Sequence, residues 1–326
     1  MLVYQNWEAI DVVLKERYGD ADRLEWAPPV PYRPAGPTPI GRYVTNLIVA
    51  YPRTDPVPHW HLIGYAMTAP FEQRGYEFTL RVPRAPEDTE LPGWAMPHLE
   101  SLASYVARSG NDFAEGHYIE YPEPIDPARP GSEIRAGGFA LDPELGELDT
   151  ALGKVTFLQF VGITTDELHA AQSWNVRGLL GALQPRLPVL LTDLDRTSLA
   201  ETPEVVSAVA DGARQEGSGT GFLFFHRLDS AAGDEVRLTL GAEHVPQFTR
   251  VLPGRIPHGA PLILRGGSGR PVVFLPGPEF GHDGTGEALE ITLPAGPVAE
   301  LAAAVRAEPG EYRVPALPGL TVTVIP

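Results

Sequence analysis

The sequence predicts an α/β (α+β) protein with two lobes, each built from mixed, mostly antiparallel sheets flanked by helices. Three observations favour this class. The 326 residues suffice for about two domains at roughly 150 residues per domain. Short apolar runs of strand length alternate with amphipathic runs of helical period. The 35 Pro and 34 Gly exceed the average content and predict many turns between short strands.

The N-terminal half alternates strands and helices. The helix predicted at 97–109 carries an apolar stripe at helical spacing, and Gly110 stands where a left-handed cap belongs. Thr164 and Glu167 have the spacing of a capping box. The proline-rich stretch 28–39 is expected to lack regular structure, because Pro has no N–H. Strands are predicted at 43–51, 59–67, 76–82, 155–161 and 189–194, and helices at 7–17, 97–109 and from 165 to at least 173.

A glycine-rich segment at 217–221 predicts a domain boundary, because small polar residues form flexible linkers. We expect an N-terminal domain over 1–215 and a smaller C-terminal domain over 221–326. In the second domain, strands are predicted at 221–227, 235–240, 261–265, 272–275, 287–293 and 320–325, and one helix at 297–306.

The charge and the cysteine count exclude several function classes. The chain has 42 acidic and 25 basic side chains, for a net charge of −17. Such a balance argues against nucleic acid or an anionic membrane as a partner and suits a basic protein. The absence of cysteine excludes disulfides, thiolate zinc sites and Cys-based catalysis.

Much of the charge falls in residues 111–150, which hold ten acidic side chains and two arginines. Aromatic residues are interleaved with them. This composition suits contact with a basic, partly apolar protein surface, and it suits a solvated face equally well. Both interpretations stay open at this stage.

The N-terminus lacks the basic start and apolar core of a signal peptide. No apolar run approaches the ~18 residues of a membrane span. Lys15 and Lys154 are the only lysines, which indicates GC-rich coding. We expect a soluble, cytoplasmic bacterial protein without a cofactor.

His59 and His61 could hold a metal, because residues two apart on a strand share one face. Trp60 between them and the missing third ligand favour packing instead. Asp193 and Asp195 could bind Mg²⁺, but a helix cap and a surface ion pair are favoured. A metal-assisted hydrolase using His59, His61 and an Asp is the enzymatic alternative. No complete catalytic site emerges from the sequence.

An ordered set of motifs resembles the Suppressor of fused family over most of the chain. The matching segments are 58–65, 76–81, Trp94, 102–106, 111–113, 153–163, Glu167-Leu168, Ala171-Gln172, Trp174-Asn175, 191–193, 252–259 and 323–326. In this resemblance His59, Trp60, His61, Gly64, Trp174, Asn175 and Asp193 are structural signature positions.

The resemblance implies a two-lobed protein without enzymatic activity. In the animal family member an extended peptide is clamped between the lobes and adds as a strand, a mode in which backbone bonds give affinity. The residues that match the binding positions are Tyr105, Phe113, His117, Leu141, Phe222 and Phe224. Acidic residues stand in animal members where His117 and Leu141 align, and a short turn at 229–234 replaces their long insertion.

Short bacterial relatives are similar to immunity proteins, which bind and silence a toxin. The leading hypothesis is therefore a non-enzymatic module that binds a protein or extended peptide and neutralises it, with a basic toxin as the partner. A regulator that binds an endogenous peptide between its lobes is a further alternative.

Overall fold

The computed structural model describes residues 5–19, 21–27, 47–68, 74–151, 153–267 and 269–326. The chain divides into two compact units. The first comprises Met1–Leu168 and Leu180–Leu199, and the second comprises His169–Leu179 and Ala200–Pro326. This division describes compactness and does not test the domain boundary predicted at 217–221, which stays a prediction. The proline-rich stretch 28–39 and the first residues of the strand predicted at 43–51 lie outside the described residues.

The first unit is built on a sheet of eight strands. In chain order these are β1 (Leu24–Trp26), β2 (Ile48–Arg53), β3 (His59–Gly64), β4 (Tyr76–Pro83), β5 (Tyr118–Glu120), β6 (Ile134–Leu141), β7 (Glu147–Thr150) and β8 (Gly153–Thr164). Their spatial order is β1-β2-β3-β4-β8-β6-β5, and β7 pairs with β8 beside this path. Strands β4 and β8 run parallel, whereas the other pairs are antiparallel.

Helices cover both faces of this sheet. Along β2, Ile48 and Ala50 join the apolar cluster on the side of helix α2 (Ala95–Ser109). Val49 and Tyr51 alternate with them and join the cluster of helix α1 (Gln5–Tyr18). Two covered faces explain why the central strands are buried at nearly every position. Helices α3 (Thr165–Ser173) and α4 (Val176–Leu183) follow β8 along the chain.

The second unit contains helices α5 (Pro203–Glu216), α6 (Val245–Arg255) and α7 (Val298–Ala304) and two sheets. Its strands are β9 (Phe222–Phe225), β10 (Leu228–Ala232), β11 (Val236–Gly241), β12 (Leu262–Gly266), β13 (Val272–Pro276), β14 (Gly281–Asp283), β15 (Leu289–Leu293), β16 (Gly310–Tyr312) and β17 (Leu320–Ile325). The sheet orders are β10-β11-β17-β16 and β14-β15-β13-β12-β9. One apolar cluster joins both sheets to α6 and α7.

The predicted fold class is confirmed: both units combine mixed sheets with helices, and antiparallel pairs prevail except in the five-stranded sheet, which has two pairs of each kind. The capping box also forms, since Glu167 N–H donates to Thr164 Oγ1 at 3.3 Å and Thr164 N–H donates to Glu167 Oε2 at 3.0 Å. Gly110 ends α2 with φ 74°, and its N–H donates to the Val106 carbonyl. Among the described residues, no helix is both long and apolar enough to cross a bilayer.

Two predicted elements are wrong. Residues 189–194 form no strand; Pro188–Leu190 is a 3₁₀ helix in which Val189 and Leu190 have φ of 49° and 55°. The side chain of Gln159 fixes this turn by donating to the carbonyls of Val189 and Leu190, each at 2.9 Å. The turn expected at 229–234 is largely strand, because Leu228–Ala232 pairs with β11.

Candidate functional site

The predicted binding residues of the first unit gather around Phe139 on β6. The ring centroids of Phe113 and Phe139 lie 4.3 Å apart, and those of Tyr105 and Phe113 lie 5.6 Å apart. Phe139 N–H donates to the carbonyl of His117 at 2.9 Å. Leu141 follows Phe139 by two positions and so shares its face of the strand. We call Tyr105, Phe113, His117 and Leu141 the β6 patch.

The β6 patch is open to solvent. Tyr105 and Leu141 are each 38 % exposed, His117 is exposed, and Phe113 is half-buried. Beside the patch, β5 is the last strand of its sheet within the described residues. A free edge next to apolar side chains is an arrangement that can accept an added strand.

The second unit has its own free edge at β9. This strand pairs with β12 on one side and ends the five-stranded sheet among the described residues. Leu223 and Phe225 point into the core, whereas Phe222 and Phe224 are 48 % and 49 % exposed. Two exposed phenylalanines on an edge strand are unusual, because native edges are normally short, charged or covered.

The direction of the main-chain groups of β9 follows from its pairing. Ile263 N–H donates to the Gly221 carbonyl, so Gly221 faces the parallel strand β12. In a parallel strand both main-chain groups of one residue point the same way, and successive residues alternate. The N–H and C=O of Phe222 and Phe224 therefore point toward the free edge.

The acidic stretch 111–150 is not one continuous surface. Asp112, Glu120 and Asp149 are exposed. Asp142 is fully buried, and Asp126 and Glu144 are half-buried, so three of the ten acidic groups are at least partly buried. The stretch thus contributes charge both to the surface and to the interior of the first unit.

Asp142 belongs to a buried polar network centred on Arg81, which is also fully buried. The guanidinium of Arg81 donates to Asp142 Oδ1 at 2.8 Å, to Glu144 Oε2 at 3.1 Å and to Gln159 Oε1 at 3.1 Å. The hydroxyl of Thr79 donates to Asp142 Oδ2 at 2.8 Å. The charges of Arg81 and Asp142 are therefore paired and hydrogen-bonded, as a buried ion pair requires.

His61 is part of the same network. Its Nε2 lies 2.9 Å from Asp142 Oδ2, and its Nδ1 lies 2.7 Å from the hydroxyl of Tyr18. Burial raises the pKa of Asp142 by itself, but His61 and Arg81 outweigh it and hold that pKa well below its usual range. Burial lowers the pKa of His61. The ionised carboxylate only accepts, so neutral His61 donates through Nε2 and accepts from Tyr18 at Nδ1.

His59 and its neighbours are packed into strand β3. The Nδ1 of His59 donates to the Val57 carbonyl at 2.7 Å, and burial lowers its pKa to about 4. Trp60 lies in the apolar core, and Gly64 ends the strand opposite Ile48. Both ring nitrogens of His61 are engaged, and the described residues contain no group of three or more His, Cys, Asp or Glu placed to hold a metal.

The Trp174-Asn175 pair joins elements of the second unit. Trp174 Nε1 donates to Glu216 Oε2 at 2.7 Å, and Asn175 Nδ2 donates to the same oxygen at 3.0 Å. The indole fits against two glycines: a Cβ on Gly178 or Gly212 would come within 2.3 Å or 2.1 Å of its atoms. This signature pair therefore packs α4 against the end of α5.

Asp193 forms a turn where a helix cap was predicted. Its Oδ1 accepts the N–H of Asp195 at 2.9 Å, and no helix begins there. Asp195 forms an ion pair with Arg129. Beside them is a cavity of about 510 Å³ lined by Arg129, Gly131, Ser132, Glu133, Leu194, Asp195, Arg196 and Thr197.

The Arg81–Asp142 pair and the participation of Tyr18 and Gln159 were not predicted from the sequence. For Gln159 a signal was present, because it is a polar residue within the dense apolar run predicted as a strand at 155–161. A polar side chain at a position buried on both faces needs a partner. The partner of Arg81 could not be identified, since Asp142 is 61 residues away in sequence.

Known proteins of one family are similar to this chain. A family model described as "Suppressor of fused protein (SUFU)" matches residues 43–197. The Suppressor of fused homologs of Homo sapiens and Mus musculus are each 30 % identical over 232 residues, or 62 % of this chain and 47 % of the relative. Over residues 43–197 the chain is therefore similar to the Suppressor of fused family. It spans about half the length of these curated relatives, and the resemblance inferred from the motifs is confirmed.

Solved structures of Suppressor of fused proteins share the fold. The crystal structure of Drosophila Suppressor of Fused has a TM-score of 0.78 at 18 % identity and covers 98 % of this chain and 96 % of that chain. A chain of the Sufu-Fu complex crystal structure has a TM-score of 0.52 at 26 % identity, covering 64 % of this chain and 98 % of that one.

Proposed function

We propose that this chain is a non-enzymatic module that binds a partner protein through an extended segment. The main support for this proposal is strand β9, which lies at a free sheet edge and exposes Phe222 and Phe224. Main-chain bonds to that edge would give affinity, and contacts with the two rings would select apolar residues at alternate positions of the partner.

Two further observations support protein binding. The relative in the Sufu-Fu structure is, by its description, in a complex with Fu. The β6 patch supplies a second exposed apolar surface next to the free edge of β5. Aromatic side chains contribute much of the energy of protein interfaces, so Tyr105 and Phe113 are the residues we expect to matter most there.

The partner we propose is a basic protein that the chain neutralises, in the manner of an immunity protein and its toxin. A net charge of −17 supports this choice, because an acidic surface accelerates encounter with a basic protein. A regulator that binds an endogenous peptide would use the same edge. Both ring nitrogens of His61 already take part in hydrogen bonds, which does not favour the alternative of a metal-assisted hydrolase.

A capture experiment at low salt tests the proposal, because steered acidic surfaces bind best there. The wild-type chain, F222S/F224S and V206S are used as bait in a native lysate. Val206 is an equally exposed apolar residue on α5, at 50 %, and serves as the matched control. We expect one protein to be retained by the wild type and V206S and lost with F222S/F224S. Equal capture by all three, or none by any, would contradict the proposal.

A second pair of variants tests strand addition itself. F224A removes the ring and keeps the main-chain N–H, whereas F224P also removes that N–H at the free edge, where Pro is tolerated. Binding should be weaker with F224P than with F224A. Equal binding by the two would show that the edge is not used. Adding the chain to the recovered partner then separates the hypotheses, since only a toxin would lose a toxic activity.

A further inference from the structure

The end of strand β9 is fastened by a histidine side chain. His226 follows the strand, and its main-chain N–H donates to Nε2 of His244 at 2.8 Å. His244 ends the 3₁₀ helix Ala242–His244. Its ring stacks on Phe225, with centroids 4.6 Å apart and planes 8° from parallel. The imidazole therefore holds both the last core side chain of β9 and the amide that follows it.

The main-chain N–H of His226 points toward the free edge, because main-chain groups alternate in direction along the strand. The main-chain groups of Phe222 and Phe224 point toward that edge, and the N–H of His226 comes two residues later. Its acceptor is Nε2 of His244 and not a neighbouring strand. The His244 ring thus marks the end of the row of donors that a partner segment could use.

This hydrogen bond exists only in one protonation state of His244. Nε2 can accept from an N–H only when it carries no proton. Protonation would place two donors face to face at 2.8 Å, and the bond to His226 would be lost.

We propose that His244 is a pH-sensitive latch of the binding edge: its neutral ring holds the end of β9 in place, and its protonation releases β9 and weakens partner binding. The second half of this inference rests on the proposed function of β9, whereas the latch itself does not. The pH would thus control how well ordered β9 is, and β9 is the strand to which the partner would add.

Two titratable groups face the ring. Glu243 Oε1 lies 3.5 Å from Nε2 of His244, and the His226 ring lies 5.5 Å from the His244 ring. Partial burial lowers the pKa of His244, against the opposing effect of Glu243. The latch is consequently closed at neutral pH and opens below the usual histidine value of about 6.5.

Amide hydrogen exchange of the free protein tests the latch without any partner. Protection factors of the His226 amide are measured by NMR at pH 7.5 and 5 in the wild type, H244Q and H226A. H244Q keeps an acceptor that does not titrate, and H226A keeps the amide without its own imidazole. We expect protection to fall about tenfold at pH 5 in the wild type and H226A and to stay constant in H244Q. Constant protection in the wild type, or an equal fall in H244Q, would overturn the latch.

Imidazole ¹⁵N shifts give a second readout that needs no variant: His244 should carry its proton on Nδ1 at pH 7.5. A proton on Nε2 would also overturn the latch. Binding of the protein recovered in the capture experiment should be about tenfold weaker at pH 5 than at pH 7.5 for the wild type and nearly unchanged for H244Q. If the latch opens but binding does not follow it, the regulatory role is wrong. If capture itself fails, the exchange results still decide the latch.

Discussion

The guanidinium of Arg81 lies 2.8 Å from the carboxylate of Asp142, and neither side chain is exposed to solvent. Such a pair contributes less to stability than its distance suggests, because both ions lost their hydration on folding. It makes the loss of either partner costly, since the other buried charge then loses its closest charged partner. The network around this pair joins β3, β4 and β8 to the acidic stretch.

Removing the negative charge should therefore destabilise the first unit strongly. We expect D142N to lower the free energy of unfolding by about 3–5 kcal/mol, because buried Arg81 keeps its charge but loses its fully buried counterion and retains the half-buried Glu144. Denaturant unfolding measures the change. D211N is the control: Asp211 pairs with Arg214 on the surface, and its loss should cost less than about 1 kcal/mol. Similar losses for both variants would contradict the structural role of the buried pair.

His98 on α2 should make the protein sensitive to acid. Its ring packs 4.3 Å from Phe160, its Nε2 is buried without a partner, and burial lowers its pKa to about 3. The unfolded chain takes up this proton below about pH 6.5, whereas the folded chain does not until near 3, so stability falls as the pH falls between these values.

H98F keeps the ring contact and removes the titration. Between pH 6 and 4 its free energy of unfolding should fall less steeply than that of the wild type. The two slopes should differ by about 1.4 kcal/mol per pH unit. Parallel curves for the two proteins would show that His98 is protonated in the folded state.

Gly137 should not tolerate a side chain. A Cβ at this position of β6 would lie 1.9 Å from the ring of Phe160 on the adjacent strand. We expect G137A to lower the free energy of unfolding by about 1–3 kcal/mol, because the overpacked core must shift. G93A is the matched control, since a Cβ on Gly93 meets nothing within 4 Å. Thermal unfolding that shifts equally in both variants would contradict this packing.

Val189 holds a backbone conformation that costs energy. With φ 49° it lies in the left-handed region, which β-branched residues rarely adopt. V189G should therefore leave the free energy of unfolding unchanged or raise it by up to about 1 kcal/mol, although a half-buried side chain is lost. A loss above about 1 kcal/mol would show that contacts of the Val189 side chain outweigh the strain.

Local sequence patterns predict the elements whose determinants are local. The apolar stripe of α2, its Gly110 cap and the Thr164–Glu167 capping box depend on residues three or four apart, and all three appear in the structure. The family motifs likewise located the residues that form the β6 patch. Tyr105 and Phe113 contact each other in that region, and the role of the patch in binding stays a prediction.

Elements decided by distant contacts were not predictable. Strands β5, β10, β14 and β16 are three to five residues long, and their polar residues carry no period-two pattern that distinguishes them from turns. Residues 189–194 are apolar enough for a strand, yet Gln159, 30 residues away, holds their main chain in a turn. The apolar content of a segment alone does not tell whether it forms a strand or a turn.

The division of the chain has a consequence for its synthesis. His169–Leu179 belongs to the second unit, although segments of the first unit precede and follow it in sequence. These residues leave the ribosome before Gly212 and Glu216 exist, so the indole of Trp174 has to wait for its contacts. A fragment that begins at residue 169 retains the contacts of Trp174 with Gly178, Gly212 and Glu216, whereas one that begins at 221 lacks both the indole and α5.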